Sequence, residues 1–221
     1  MGSRGTRKGV VDGSWVLTAE ADSGANGRHN RFDEVLEAAL EIFHRNGYAG
    51  ATIQEVAAQV GVLKGSLYHY IDSKEDLLAW IFEESDRQSL EIMDRVGRLE
   101  APAIDRLRAF AEAWALWYMA NVERAALYFS EWRHLNGERL EQVIEKRRAY
   151  ERFVVDLIEA SKREGDADPS IDPRLACFLI LAGINGVPMW YRRGGADSAA
   201  EIAAIHADMV VAVLRGGPGR P

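Results

Sequence analysis

The sequence predicts an all-α protein, and three observations carry that prediction. From about residue 29 onward the apolar residues recur at i, i+3 and i+4, the period of a helix with one buried face. Helix-start signatures recur along the chain: Thr52 with Glu55, Ser73 with Asp76, Ser198 with Glu201, and Asp172 before Pro173. No valine, isoleucine or threonine alternation bounded by turns is present, so no strand is expected. The expected layout is about nine helices, with an N-terminal three-helix head carrying a helix-turn-helix and a larger C-terminal helical domain.

Element by element, residues 1–28 are rich in glycine and serine and show no apolar period, which reads as a disordered arm. Its Arg4, Arg7, Lys8 and Arg28 are nearly balanced by Asp12, Glu20 and Asp22. The stripe Phe32, Val35, Leu36, Ala39, Leu40 and Phe43 makes the first helix, which Asn46 and Gly47 end. Ile53, Val56, Ala57 and Val60 form a second, short helix that starts in the Thr52 to Glu55 capping box and stops at Gly61. Ser73 opens a longer helix through Leu77, Leu78, Ile81, Phe82 and Ser85. Further stripes run through Ile104 to Tyr118 and Leu140 to Ile158, and two last helices begin at Pro173 and after Ser198, separated by Gly194 and Gly195. The expected divisions are therefore 1–28 arm, 29–75 head, 76–215 C-terminal domain and 216–221 tail.

Composition excludes several classes. At 221 residues with 48% hydrophobic and 28% charged residues the chain has the balance of a soluble globular protein. A net charge of -7 argues against coating nucleic acid through bulk positive charge, so any DNA contact must be a local surface. The one cysteine, Cys177, forms no intrachain disulfide and no thiolate metal site by itself, which suits a reducing cytoplasm. No secretory signal is visible. The uncharged stretch Leu175 to Tyr191 contains Gly183, Asn185, Gly186 and Pro188 and is short of the roughly 20 residues of a membrane span, so it reads as a helix buried in protein.

The stretch VGVLKGSLYHYIDSKEDLL, Val60 to Leu78, is the richest in chemistry. A phosphate-binding loop needs the order GxxxxGK[ST] after a strand, and here Lys64 precedes Gly65 with no strand before it. No GxSxG or HExxH occurs, and the five histidines are scattered singly, so no catalytic residue, cofactor or metal is expected. On a helical wheel at about 100° per residue, Lys64, Gly65, Tyr68 and His69 share one face, while Leu63, Ser66, Leu67 and Tyr70 share the inward one. A short helix following a capped short helix through a Gly61 turn is a helix-turn-helix, whose second helix enters the major groove. Lys64 then reaches guanine acceptors or phosphate, Tyr68 and His69 reach phosphate or base methyls, and Gly65 permits close approach. Thr52 and Lys74 head the flanking helices, where backbone amides attract phosphate.

The segment TIQEVAAQVGVLKGSLYHYIDSKEDLL resembles the DNA-binding signature of the tetracycline-repressor (TetR) family of bacterial regulators. The likeness rests on Thr52, Val56 and Ala57, Val60 to Val62, Gly65, Leu67 and Tyr68, Tyr70, and Ser73 through Leu78. Leu63, where a small capping residue is usual, and Ile71, where phenylalanine usually packs, depart from it. The resemblance implies DNA contacts from Thr52, Lys64, Gly65, Ser66, Tyr68, His69, Tyr70 and Lys74, with Ser66 and Tyr70 resting on the resemblance alone. It further implies a homodimer on a palindromic operator, most often as a repressor. Its last two long helices would form a four-helix bundle with a second copy, here through Phe178, Ala182, Gly186, Trp190, Ile205 and Met209.

The resemblance also implies a small effector within the C-terminal domain. The aromatic group Phe110, Trp114, Trp117, Tyr118, Tyr128, Phe129 and Trp132 is the candidate lining, against the alternative that the stripe is plain core. The stretch from Trp190 to Gly195 resembles members that regulate lipid or steroid breakdown, which points to an apolar effector such as a fatty or sterol-derived acid or its coenzyme A thioester. The alternative function is a helical ligand-binding or catalytic protein that keeps the head without regulating DNA.

Overall fold

The computed structural model describes residues 27–216, and every regular element within them is helical. The expected arm at 1–28 lies outside the described residues except for Gly27 and Arg28, and the tail does so from residue 217. In order, the elements are α1 (Gly27–Gly50), α2 (Ile53–Gln59), α3 (Lys64–Leu67), α4 (Lys74–Gly97), α5 (Ala103–Ala120), α6 (Val122–Glu131), a 3-10 turn (Trp132–His134), α7 (Gly137–Glu164), α8 (Pro173–Asn185), α9 (Val187–Trp190) and α10 (Ala199–Gly216). The all-α expectation therefore holds, and α8 with α9 is one helix bent between Gly186 and Pro188.

The predicted starts and stops are where the chain turns. Gly47 has φ +69°, a conformation costly for any residue with a Cβ, so the helical run of α1 breaks one residue after Asn46. Thr52 accepts from the Glu55 amide while Glu55 accepts from the Thr52 amide at 2.8 Å, closing both ends of a capping box. Gly61, again at φ +69°, makes the turn into α3. Asp172 accepts from the Arg174 and Leu175 amides, both at 2.9 Å, and Ser198 and Glu201 cap α10 reciprocally.

Two apolar cores result. One joins α1, α2, α3 and the first half of α4 through Val35, Phe43, Val56, Leu67, Leu78 and Phe82, and it recruits Leu127 and Tyr128 from α6, Leu135 from the connection after the 3-10 turn and Val143 from α7. The other is built around α5, whose residues are buried on nearly every side between α4, α7, α8 and α10. The head is thus not closed off at residue 75: its core continues along α4 and leans on the C-terminal helices.

The head of α4 is the joint between them. The Lys74 ammonium donates to the carbonyl oxygens of Tyr48 at 2.6 Å and Ala51 at 3.0 Å, and lies 4.3 Å from the centre of the Tyr48 ring. Two residues on, the buried Asp76 carboxylate accepts from the Asp72 and Ser73 amides, each at 2.7 Å, and pairs with Arg139 of α7. Burial disfavours the charged form of Asp76, but the Arg139 bond and the two amides outweigh it, holding the carboxyl below its usual range. Glu75 accepts from the Asn136 amide at 3.1 Å, a second tie between α4 and the start of α7.

Two outcomes follow. Lys74→Ala removes charged hydrogen bonds from the Tyr48 and Ala51 carbonyls and should cost about 1.5–3 kcal/mol, read as a fall in melting temperature by circular dichroism. Because the Asp76 pKa is depressed on folding, its contribution is present above the unfolded value of about 3.9 and disappears as pH falls through the folded value. Denaturant melts of wild type and Asp76→Asn should therefore differ at neutral pH and converge in acid.

Candidate DNA-reading head and effector cavity

The face expected to meet DNA is set by α3 and the turn after it. Lys64, Gly65, Tyr68, His69 and Tyr70 are exposed together, with Ser66 half-buried and Leu67 only 1% exposed beneath them. Thr52 is exposed at the head of α2, its hydroxyl engaged with Glu55 at 2.8 Å. The Lys64 ammonium lies 5.9 Å from the centre of the Tyr68 ring, one turn along. A Cβ placed on Gly65 would meet no protein atom within 4 Å, so nothing inside the fold demands glycine there.

The structure corrects the sequence reading at three head positions. The regular helix spans only Lys64 to Leu67, and the chain continues in turns that bond the Tyr70 and Ile71 amides back to Leu67. A continuous wheel therefore misplaces Tyr70, which is exposed rather than inward. Leu63, also assigned inward, lies outside the helix at its N-cap with extended backbone and is 80% exposed. The Lys74 side chain, assigned to DNA, is occupied by the carbonyls that end α1, so only its backbone amide at the start of α4 remains for a phosphate.

In the C-terminal half a narrow cavity of about 60 Å³ opens between α4, α5, α6, α7 and α8. Five of the seven aromatic residues expected there line it: Trp114, Trp117, Tyr118, Tyr128 and Phe129. Phe110 does not; it is fully buried behind Trp114 and against Phe153. Trp132 is not part of the wall either, and serves instead as a platform 5.2 Å below the Arg147 guanidinium, which also lies over Phe129 at 5.6 Å.

Periodicity alone did not bring out the polar wall: Ser85 and Ser89 of α4, Arg147, Tyr150 and Glu151 of α7, and Asn185 of α8. A signal for the α4 part exists in the sequence, since the apolar face of Ile81 and Phe82 is interrupted by Ser85, Asp86 and Ser89 before resuming at Ile92. Beside the cavity, Asp86 is 2% exposed, accepts from the Tyr128 and Tyr150 hydroxyls at 3.0 Å each, and has the Lys146 ammonium 2.8 Å from its second oxygen. Burial, reinforced by the Asp86 charge, raises the pKa of both tyrosines, so their hydroxyls stay protonated donors. Tyr118 donates to Asn185 at 3.0 Å and Trp117 to Gln88 at 2.6 Å, whereas the buried Trp114 N–H meets no acceptor. The Cys177 thiol is pushed up to about 11 by burial and the nearby Glu151 charge, which keeps it protonated and unreactive at neutral pH.

The α8 to α10 face carries the side chains expected at a dimer contact. Phe178, Ala182, Trp190, Ile205 and Met209 are exposed and Gly186 half-buried, while the Trp190 and His206 rings stack at 6.0 Å. The segment Pro173–Trp190 is long and apolar enough to cross a membrane by composition, and only 28% of it is buried in the single chain, less than the sequence reading expected. Among the described residues no cluster of three histidine, cysteine, aspartate or glutamate side chains is arranged to hold a metal.

A helix-turn-helix head rigidly joined to a helical domain with its own cavity defines a ligand-responsive DNA-binding regulator. The model for bacterial regulatory proteins of the tetR family matches residues 35–81, and the tetracyclin repressor-like C-terminal domain matches residues 100–214. The chain belongs to the TetR family of transcriptional regulators. It is 28% identical over 202 residues to the HTH-type transcriptional repressor KstR2 of Rhodococcus jostii, covering 88% of this chain and 96% of that one. It is 25% identical over 155 residues to the fatty acid metabolism regulator protein of Bacillus subtilis, covering 70% and 80%. AibR, solved in complex with isovaleryl coenzyme A and operator DNA, superposes with a TM-score of 0.73 at 25% identity, covering 83% of this chain and 97% of that one. The ketosteroid regulator KstR2 of Mycobacterium tuberculosis shares the fold, with a TM-score of 0.79 at 22% identity over 93% and 98%.

Replacing Asp86 by alanine leaves two tyrosine hydroxyls without their shared acceptor and Lys146 without its counter-charge. Because Lys146 is 29% exposed and can rehydrate, a loss of roughly 2 kcal/mol is expected in urea melts, below the full cost of breaking a buried pair.

Proposed function

We propose that the protein is a homodimeric repressor that reads a palindromic operator through Thr52, Lys64, Gly65, Ser66, Tyr68, His69, Tyr70 and the backbone amide of Lys74, and releases it when a hydrophobic effector fills the aromatic cavity. One observation carries this reading: α4, whose first residues fix the head, also forms a wall of the cavity through Ser85 and Ser89. An effector that favours a different position of α4 changes the spacing of the two heads. Half-sites about 34–36 Å apart then no longer fit, and a coupling of about 1–3 kcal/mol is typical.

The effector class suggested by the lining is an acid of fatty or sterol origin or its coenzyme A thioester. The aromatic walls suit the apolar part, and Arg147 and the unsatisfied Trp114 N–H offer a cation and a donor to a carboxylate or thioester carbonyl. A second depression, between α7 and α8, shares Glu151 with the first and carries Arg148, Arg152 and Arg174, side chains suited to phosphate groups. The relatives named for fatty acid metabolism and crystallised with isovaleryl coenzyme A support the same class. The second copy would sit on the face formed by α8, α9 and α10, covering Phe178, Ala182, Gly186, Trp190, Ile205 and Met209. Such a protein works where the DNA is, in the cytoplasm.

The purified protein should retard DNA from upstream of its own gene, with affinity falling steeply as salt rises. Tyr68→Ala should weaken that binding by about 1–3 kcal/mol with dimer mass and helix content unchanged. Indifference of the wild type to DNA at low salt would sink the reading. Long-chain and sterol-derived acyl-coenzyme A thioesters should raise the melting temperature and release bound DNA; stabilisation by small hydrophilic compounds alone would remove the effector class.

A further inference from the structure

Leu63 stands in an odd place. It occupies the N-cap of α3 with φ -72° and ψ 144°, makes no side-chain cap, and its carbonyl accepts the Ser66 amide at 2.9 Å. The N-cap position favours serine, threonine, aspartate or asparagine, whose oxygen satisfies an amide that leucine leaves to solvent. A lone exposed leucine is ordinary on a protein surface. This one is 80% exposed at the N-terminal end of the reading helix, immediately before the exposed Lys64. The other exposed large apolar side chains of the head, Tyr68 and Tyr70, each carry a hydroxyl, whereas Leu63 offers hydrocarbon alone. It gives the fold neither packing nor a cap.

We infer that Leu63 is a specificity-determining residue that packs on the C5-methyl group of a thymine in the major groove of each half-site. This inference rests on the reading of the head as DNA-binding. The thymine methyl is the one apolar group that standard base edges present in that groove, and N-terminal residues of a recognition helix are those that reach base edges. Neighbouring polar side chains supply the hydrogen-bonding contacts, and Leu63 supplies discrimination by methyl burial. Its departure from a capping residue then trades local helix stability for one read base.

The test begins with the operator obtained by selecting DNA fragments bound by the wild-type protein. Each thymine is then replaced in turn by deoxyuridine, which keeps every hydrogen-bonding group and removes only the methyl. Wild type should lose about fourfold in affinity per half-site at one position, the change that corresponds to about 0.8 kcal/mol per buried methyl-sized group. Leu63→Ser, which restores a cap, should bind thymine and uracil operators equally with an unchanged or higher melting temperature. Should the serine variant not fold, Leu63→Ala serves, and the wild-type uracil scan needs no variant. A wild type that binds the operator yet ignores every methyl overturns this inference alone, as does a serine or alanine variant that keeps the same uracil penalty. A wild type that binds no DNA overturns the reading beneath it as well.

Discussion

Everything in the molecule depends on how firmly the first turn of α4 is fixed. Lys74 closes the C-terminal end of α1 by gathering its carbonyls, and Asp76 closes the start of α4 while gripping Arg139 of α7. Both act where helix ends leave backbone groups unsatisfied, so a single turn meets needs of three helices together. Arg124 of α6 adds a strut, pairing with Glu37 of α1 at 2.8 Å. The head is therefore not hung on a linker: α6 and α7 contact it through charged pairs.

The same helix carries an apparent contradiction. Along α4 a buried face turns polar at Ser85, Asp86 and Ser89, and a buried carboxylate is expensive unless several partners meet it. Ser85 and Ser89 donate to carbonyls one turn back at 2.8 Å, neutralising themselves at little cost. Asp86 draws its partners from α6 and α7, so the network's geometry is fixed only while three helices keep their relative places. Apolar residues there would pack as well and hold the helices less specifically. In the proposed switch, an effector filling the neighbouring cavity would act on this network first.

How much of this is legible in the chain follows from which residues make local statements. The all-α class, the breaks at Gly47 and Gly61, the capping boxes at Thr52 and Ser198, and the Asp172 N-cap before Pro173 are local events, decided within four residues, and each is readable. Exposure of Lys64, Tyr68 and His69 is readable for the same reason. Leu63 and Tyr70 were misassigned because a wheel assumes an unbroken helix and α3 lasts one turn. The role of the Lys74 side chain is not readable locally, because the carbonyls it binds lie 23 to 26 residues away. Phe110 and Trp114 stand four apart on one helix and share one stripe, yet only Trp114 reaches the cavity; Arg147, Tyr150 and Asn185 join it from helices whose approach no periodicity encodes.

The acidic balance of the chain and its long apolar helices state one constraint from two sides. A protein with net charge -7 cannot hold DNA by bulk attraction, so affinity must come from placing two small reading faces at once. Simultaneous placement requires a partner held at a fixed distance, and Phe178 of α8, Trp190 of α9 and Ile205 and Met209 of α10, exposed in the single chain, are the apolar area that the proposed dimer would cover. Two copies joined rigidly at one end and reading DNA at the other gain from every contact twice, and lose twice when the spacing changes.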